Sequence, residues 1–250
     1  MKILFITQED PIYVGEFWNE FSNNMDFISN EIKISGMVSL APLGKSSKID
    51  LLKRVYNMYG FNGTFKVGTK YLNSIILRKD LKYYCNRMSI DYITTNDVHS
   101  PEFINFASGQ DLIISVAASK IFKKALIEAP KFGIVNIHSG PLPYYKGMMP
   151  VFWQMRDGKK EIGITIHSVN EKIDSGEIYL QKFYDITSIK TLDEAIRYTK
   201  REGAKLVINF LNNFQRYYNN PREMKEKGSY FSFPTRKDTI EFKEKGFKLI

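Results

Sequence analysis

The feature that most constrains the fold is an alternation of short segments rich in β-branched residues with longer segments of helical periodicity. The predicted strands span residues 2–7, 32–38, 92–94, 112–116 and 134–138. The predicted helices span 16–27, 49–58, 66–87 in one or two pieces, 101–107 and 122–128. Strands that alternate with helices of crossover length form parallel sheets with helices on their faces. We therefore predict an α/β protein with a mainly parallel sheet flanked by helices.

The pattern changes after Gly158, where residues 162–169 and 177–183 follow each other without a helix long enough for a crossover. We expect these two segments to pair as antiparallel strands at the end of the sheet. A capping box, Thr191 to Glu194, then opens a helix predicted to run to about Tyr217. The predicted division is a catalytic domain over 1–189 and, over 190–250, this helix with a short helical and aromatic appendage, which contains Tyr230, Phe231 and Phe233.

Composition excludes several classes of protein. Hydrophobic residues make up 43% of the 250 residues and charged residues 25%, which is the usage of a globular protein rather than a disordered or fibrous one. A single cysteine, Cys85, leaves no internal disulfide and no thiolate cluster for zinc. No stretch reaches the roughly 20 apolar residues that span a bilayer. The opening MKILFIT is interpreted as a first strand, not a signal peptide. We expect a cytoplasmic protein that does not enter the membrane.

The net charge of +9 favours acidic partners, but the positive residues are spread along a chain rich in lysine, asparagine and isoleucine. A solvated lysine surface is the simpler interpretation, and it is favoured over a nucleic-acid-binding face.

The chemistry is concentrated between residues 112 and 178. Asn136 and His138 lie at the end of a predicted strand, two positions apart, so both side chains point to the same side. In open parallel sheets the ligand crevice lies outside the carboxyl ends of the strands. Such a pair alone is more often structural than catalytic. A proline-containing loop to Gly147, a second strand from Gly163 to His167, and an Asp174 loop change that balance.

These segments together resemble the folate-dependent formyltransferase family, which includes glycinamide ribonucleotide transformylase, methionyl-tRNA formyltransferase and the sugar N-formyltransferases. The matching positions are Asn136, His138, Pro143, Gly147, residues 163–167, and Asp174 followed by Gly176. The resemblance covers residues 111–178 well and the first strand loosely. It implies a Rossmann-like formyltransferase fold, N10-formyltetrahydrofolate as the formyl donor, and no metal.

The resemblance implies three catalytic residues. In formyl transfer a neutral amine attacks the formyl carbon, and negative charge develops on the formyl oxygen. Asn136 offers an N–H to that oxygen. His138 donates to the same oxygen or accepts the proton of the amine, and Asp174 holds the imidazole in the required state. His167 is left open between a residue beside the site and a solvated strand histidine.

The resemblance also implies a donor pocket. The pterin ring is expected against the backbone of residues 119–122 and the loop 169–174, covered by apolar side chains. The predicted donor-binding residues are Ser119, Lys120, Ile121, Phe122, Leu126, Val169 and Ile173.

Three acceptors are open within the family. Glu9 and Asp10 after the first strand make a poor phosphate cradle for glycinamide ribonucleotide. Methionyl-tRNA formyltransferase has a C-terminal barrel domain of about a hundred residues, for which this sequence has too few residues after Tyr217, so tRNA is not expected as a partner. By elimination we expect a nucleotide-linked amino sugar used in surface polysaccharide synthesis. The predicted residues for its sugar ring and base are Tyr144, Tyr145, Lys146, Phe152 and Trp153. A homodimer and a non-catalytic folate- or nucleotide-binding module of the same fold remain alternatives.

Overall fold

The computed structural model describes residues 1–10, 12–40, 48–76 and 80–250. Within these ranges the strands are β1 (Lys2–Gln8), β2 (Lys33–Leu40), β3 (Asp91–Thr94), β4 (Leu112–Val116), β5 (Ile134–His138), β6 (Lys146–Gly147), β7 (Glu161–Ser168), β8 (Ile178–Asp185) and β9 (Tyr230–Phe231). The helices are α1 (Val14–Asn23), α2 (Lys48–Ile76), α3 (Leu81–Met88), α4 (Pro101–Ser108), α5 (Lys124–Ile127), α6 (Pro150–Arg156), α7 (Leu192–Asn212), α8 (Phe214–Tyr218) and α9 (Arg236–Glu244).

Seven of the strands form one sheet in the order β3-β2-β1-β4-β5-β7-β8. The pairs from β3 to β5 are parallel, whereas β7 pairs antiparallel with both β5 and β8. The strand order reverses between β1 and β4, and such a reversal opens a crevice at the carboxyl ends of the strands. The predicted α/β class and the antiparallel pair at the end of the sheet are confirmed.

The core forms on both faces of the sheet because its central strands are apolar on both sides. All five residues of β4 are buried. On one face, Phe5 of β1 packs edge-on against Trp18 of α1 with the ring centroids 5.1 Å apart. Helix α7 belongs to the same cluster through Val207 and Phe210. The predicted division at residue 189 stays a prediction, and the helix that follows it packs within this main core.

Several helix limits differ from prediction. Helix α1 ends at Asn23, and a short 3-10 turn follows. The two predicted helices 49–58 and 66–87 are replaced by α2, which is broken at Gly60 with φ of 67°, and by α3. Helix α3 begins after Asp80, whose carboxylate accepts the N–H of Tyr83 at 2.8 Å. The predicted part 77–79 lies outside the described residues. Helix α5 has a single turn, and the predicted helix to Tyr217 breaks at Asn213.

The C-terminal segment packs onto the end of the sheet through aromatic side chains. Phe242 of α9 stacks on Phe152 of α6 with the centroids 4.8 Å apart, and Phe231 of β9 stacks on Trp153 at 4.7 Å. Strand β9 also pairs in parallel with β6. The appendage therefore fixes the loop that leads from β5 into α6. In the part of the chain that the structure describes, no helix combines the length and hydropathy needed to cross a bilayer.

Candidate active site

A cleft of about 670 Å³ opens at the carboxyl ends of β1, β4 and β5. Its floor includes Gln8 from the end of β1, Ser115 from β4, and Asn136 and His138 from β5. The loop after β7 supplies Asp174 on one side. This is the position at which the reversal of strand order predicts a ligand crevice.

His138 and Asp174 lie side by side in this cleft. The distance from His138 Nδ1 to Asp174 Oδ2 is 3.5 Å, and both side chains are about nine-tenths buried. His138 Nε2 lies 2.8 Å from the carbonyl oxygen of Tyr145, so this nitrogen carries a hydrogen and donates it. In a neutral imidazole Nδ1 is then unprotonated, beside a carboxylate that would stabilise an N–H there. His138 Nδ1 is therefore placed to accept a proton.

The surroundings of this pair set its charge. Burial lowers the pKa of His138, and Asp174 only partly opposes this effect, so the imidazole is neutral near pH 7. Burial alone would raise the pKa of Asp174, but the imidazole of His138 and the N–H of Gly147 contribute to lowering it to about 2. That N–H donates to Asp174 Oδ2 at 2.8 Å. Asp174 is thus ionised, and it sits in a left-handed backbone conformation with φ of 46°.

His167 orients Asn136. The two residues are directly opposed across the antiparallel pair of β5 and β7. His167 Nδ1 lies 2.8 Å from the carbonyl oxygen of Ser168 and donates to it, which leaves Nε2 as an acceptor in the neutral ring. Asn136 Nδ2 lies 3.2 Å from that Nε2. One amide hydrogen of Asn136 is therefore held by His167, and the second remains for a ligand in the cleft. The structure thus favours the site interpretation of His167.

Most of the predicted donor-binding residues share one wall of the cleft. This donor wall contains Ser119, Lys120, Ile121, Phe122, Val169 and Ile173. Leu126 is the exception, because it is fully buried in the core behind Phe122 and does not line the cleft. Its predicted contact with the donor is corrected to a packing role under the wall.

The residues predicted to contact the acceptor lie elsewhere. Phe152 is completely buried, and Trp153 and Tyr145 are nearly so, all in the cluster that joins α6 to the C-terminal segment. Tyr144 and Lys146 are directed to the C-terminal segment, where the Tyr144 hydroxyl contacts Glu226 and the Lys146 ammonium contacts the Lys227 carbonyl. None of these five side chains lines the cleft. The structure corrects this prediction because the aromatic run serves helix packing.

The opposite side of the cleft, here called the acceptor wall, was not foreseen from the sequence. It comprises Asp10, Tyr13, Val14, Arg54, Met149, Val151, Ile196, Lys200, Tyr230 and Phe233. Arg54 lies over the ring of Phe233 at 6.0 Å. These residues come from α1, α2, α6, α7 and the C-terminal segment. Only Asp10, which directly follows a predicted strand, carried a sequence signal.

The loop after β1 is unsuited to holding a phosphate. Asp10 Oδ1 accepts the N–H groups of Ile12 and Tyr13, each at 3.0 Å. The backbone donors that would bind an anion at the start of α1 are thus occupied by a carboxylate of the chain itself. Among the described residues, no group of three or more His, Cys, Asp or Glu side chains is arranged to hold a metal ion.

Comparisons with known proteins agree with this geometry. Residues 92–211 match the family model described as formyl transferase. The curated methionyl-tRNA formyltransferase of Kosmotoga olearia is 35% identical over 122 residues, which is 46% of this chain and 39% of that protein. The chain thus matches only about two fifths of that relative's length.

Two solved structures show the same fold. A sugar N-formyltransferase from a Shewanella species aligns with a TM-score of 0.59 at 19% identity, covering 97% of this chain and 86% of that one. The formyltransferase PseJ from Anoxybacillus kamchatkensis, in complex with UDP-4,6-dideoxy-4-formamido-L-AltNAc and tetrahydrofolate, aligns at 0.53 and 18% identity, covering 93% and 86%.

Proposed function

We propose that this chain, which belongs to the folate-dependent formyltransferase family, transfers a formyl group from N10-formyltetrahydrofolate to the amino group of a nucleotide-linked amino sugar. The observation that carries the proposal is the arrangement of Asn136, His138 and Asp174 at the carboxyl end of β5, inside the cleft. We place the reaction in the cytoplasm, in the synthesis of a surface polysaccharide.

Asn136 stabilises the negative charge that develops on the formyl oxygen. His167 holds one hydrogen of the amide, so the remaining N–H keeps a fixed direction before the reaction begins. A preorganised donor of this kind contributes about 10² to 10³ in rate in acyl transfer. Asn136 is therefore the oxyanion donor, and His167 is its positioning residue.

His138 and Asp174 take the proton that the attacking amine must lose. His138 Nδ1 accepts it, directly or through one water, because Nε2 is already committed to the Tyr145 carbonyl. The imidazolium that forms has a carboxylate oxygen 3.5 Å away. Burial keeps the ring neutral beforehand, so the pair is prepared to accept a proton at neutral pH.

The donor supplies an activated formyl group, and the donor wall is suited to hold its ring system. Phe122 and Val169 offer apolar surface beside the catalytic residues, and the wall is mainly apolar with a few polar groups, as ligand pockets usually are. We assign Ser119, Lys120, Ile121, Phe122, Val169 and Ile173 to donor binding.

Two observations favour a nucleotide-linked sugar as the acceptor. The loop after β1 has its backbone donors occupied by Asp10, which argues against the phosphate of glycinamide ribonucleotide. The acceptor wall carries Tyr230 and Phe233, with Arg54 over the Phe233 ring, and these groups suit a base and a phosphate. One structure of the same fold holds a UDP-linked formamido sugar.

Methionyl-tRNA is the second candidate acceptor, because the curated relatives that match in sequence are methionyl-tRNA formyltransferases. The expectation that tRNA is not a partner has no support from these relatives. The acceptor wall has no feature that separates a nucleotide sugar from the end of a tRNA, so the two are separated by experiment.

The test is incubation of the protein with N10-formyltetrahydrofolate and separate acceptors: a panel of nucleotide-linked amino sugars, methionyl-tRNA and glycinamide ribonucleotide. Mass spectrometry should detect the gain of one formyl group on an amino sugar. Transfer to methionyl-tRNA alone would replace the sugar with tRNA in the proposal. Folate binding with no transfer to any acceptor would indicate a binding module.

A further inference from the structure

Lys200 is a partly buried cation on the acceptor wall. Three other basic side chains of α7 have acidic partners: Arg197 pairs with Glu16 and Asp193, Arg201 with Glu16, and Lys205 with Glu202. In the described part of the chain, Lys200 forms no such ion pair. One lysine of the helix is therefore directed to the cleft with its charge unmatched.

The packing of α7 fixes where this lysine lies. Gly203, one turn further along the helix, lies against β5, where a Cβ atom would come 3.2 Å from Ile137 Cδ1. Ile196, one turn before Lys200, also lines the cleft. Lys200 therefore lies beside the carboxyl end of β5. Its charge is close enough to contribute to lowering the pKa of His138.

The groups around Lys200 leave it short of negative charge. Burial lowers its pKa, and the nearby carboxylate of Asp10 opposes this effect without forming an ion pair. Asp10 uses one oxygen for two backbone N–H groups. On the other side lie His138, which is neutral, and Asp174, which is paired with it. A partly buried ammonium without a partner is costly, and an anionic ligand would remove that cost.

The position of Lys200 assigns the missing anion to the acceptor. It shares its wall with Asp10, Tyr13 and Val14, whereas the two lysines of the donor side, Lys120 and Lys172, lie across the cleft. We propose that Lys200 binds an oxyanion, phosphate or carboxylate, which the acceptor carries close to its reactive amine. The inference deepens the proposed function and rests on it for the identification of this wall as the acceptor site.

The proposal predicts a specific pattern of affinity. An amine without a nearby oxyanion should be a poor acceptor, because it leaves the Lys200 ammonium unpaired when it displaces water from the cleft. Binding of the oxyanion should also restore the preference of Lys200 for its proton. Above the pKa of Lys200 in the free protein, binding should therefore take up a proton.

The test is calorimetric titration of the whole chain with inorganic pyrophosphate and, separately, with malonate, in buffers of different ionisation enthalpy. Lys200→Gln should weaken binding of the preferred anion at least about 10-fold and abolish the proton uptake, since it removes a charge-assisted contact. Lys200→Arg should stay within about 3-fold of the parent. The matched control is Lys172→Gln, which removes the same charge from the donor side and should leave binding unchanged.

The two titrants identify the source of the oxyanion. Stronger Lys200-dependent binding of pyrophosphate supports a phosphate, and stronger binding of malonate supports a carboxylate. If Lys200→Gln loses folded structure by circular dichroism, Lys200→Met keeps the apolar stem and replaces it. In the parent, NMR titration of the Lys200 ammonium should also show a higher pKa with anion bound than without.

The inference is overturned if Lys200→Gln and Lys172→Gln bind both anions as the parent does, or if neither anion binds the parent at millimolar concentration. These outcomes are separate from failure of the proposed function. A parent that binds pyrophosphate through Lys200 yet formylates no amino sugar contradicts the proposed acceptor alone. A parent that formylates a sugar with the same KM after Lys200→Gln contradicts this inference alone.

Discussion

The chemistry of the cleft depends on which nitrogen of each imidazole is already occupied. In His138 the backbone carbonyl of Tyr145 occupies Nε2, so Nδ1 faces Asp174 and takes the proton. In His167 the carbonyl of Ser168 occupies Nδ1, so Nε2 accepts from Asn136. Two histidines of the same sheet thus have opposite tautomers and different roles, one in proton transfer and one in positioning.

Replacing His167 tests the positioning role. His167→Leu should lower kcat at least about 10-fold, less than the 10² to 10³ that loss of an oxyanion donor costs, because Asn136 keeps its amide but loses its orientation. Donor affinity should hold. His167→Gln, whose carbonyl oxygen also accepts from Asn136, should recover part of the rate. Equal kcat values for parent and His167→Leu, measured at saturating substrate, would show that Asn136 needs no such support.

The carboxylate of Asp174 should also appear in the pH dependence of stability. Its pKa in the folded protein is about 2, below the 3.8 of a free aspartate. A depressed acid stabilises the fold above its unfolded pKa, and this contribution is lost as the pH falls from about 4 to 2. Asp174→Asn should therefore cost about 2 kcal/mol at pH 7 and almost nothing at pH 2.

Urea unfolding at both pH values measures this difference. The exposed Asp26 serves as a control, since Asp26→Asn removes a carboxylate outside the cleft. A cost for Asp174→Asn that stays constant between pH 7 and pH 2 would contradict the assigned ion pair.

Residue-level features of the site were predictable where they follow from strand alternation. Asn136 and His138 lie on one side of β5, as the two-residue period requires. The role of His167 was not decidable from the sequence, because it depends on the register of β5 against β7. Lys200 carried no signal, since a lysine on an amphipathic helix is most often solvated, and only the contact of Gly203 with β5 turns this face to the cleft.

At the scale of elements, two short strands hold the catalytic loop in place. Strand β6 pairs with β9, about eighty residues later in the chain, and Gly147 of β6 donates its N–H to Asp174. Gly147 has a φ of 92°, and a Cβ atom there would come 2.3 Å from the carbonyl oxygen of Phe231. The loop, the C-terminal segment and the catalytic carboxylate therefore meet at one glycine.

Gly147→Ala should lower both stability and activity. The left-handed backbone alone costs an alanine about 1 kcal/mol, and the contact with β9 adds to this, so we expect a loss above about 2 kcal/mol. Gly158→Ala is the matched control, because Gly158 also has a positive φ, 73°, but open space around it. Equal losses for the two variants in chemical denaturation, with full activity retained, would contradict the role of the β6–β9 pair.

The buried aromatic cluster gives a second test at this scale. Phe152→Ala should cost about 3 to 5 kcal/mol, because the ring is fully enclosed and stacked on Phe242. The KM for the acceptor should not change in the folded fraction. Phe183→Ala, at a side chain 49% exposed, is the control for stability. A rise in acceptor KM without loss of stability would restore Phe152 as a substrate contact.

Elements with buried, apolar sequences were predicted well, and elements defined by distant partners were not. The parallel strands are recognisable because they are apolar on both faces, as in β4. The two-residue strands β6 and β9 have no periodicity to detect. The aromatic run Phe152 and Trp153 looked like a binding surface because the sequence does not show that α9 covers it.

At the scale of the whole molecule, the reversal of strand order, the polar ends of β4 and β5, and the Asp174 loop converge on one cleft. The predicted fold class and family are confirmed by the sheet and the similar structures. The acceptor could not be derived from the sequence, because its wall is assembled from four helices and a C-terminal segment that are far apart in the chain.

The most direct test of the central claim is the rate of formyl transfer by the parent, Asn136→Ala and His138→Ala at saturating donor, with donor affinity measured in parallel. Both variants should lose at least about 10² in kcat and bind the reduced folate as the parent does, because their contacts strengthen only in the transition state. Transfer at the parental rate by both variants would contradict the assignment of the active site.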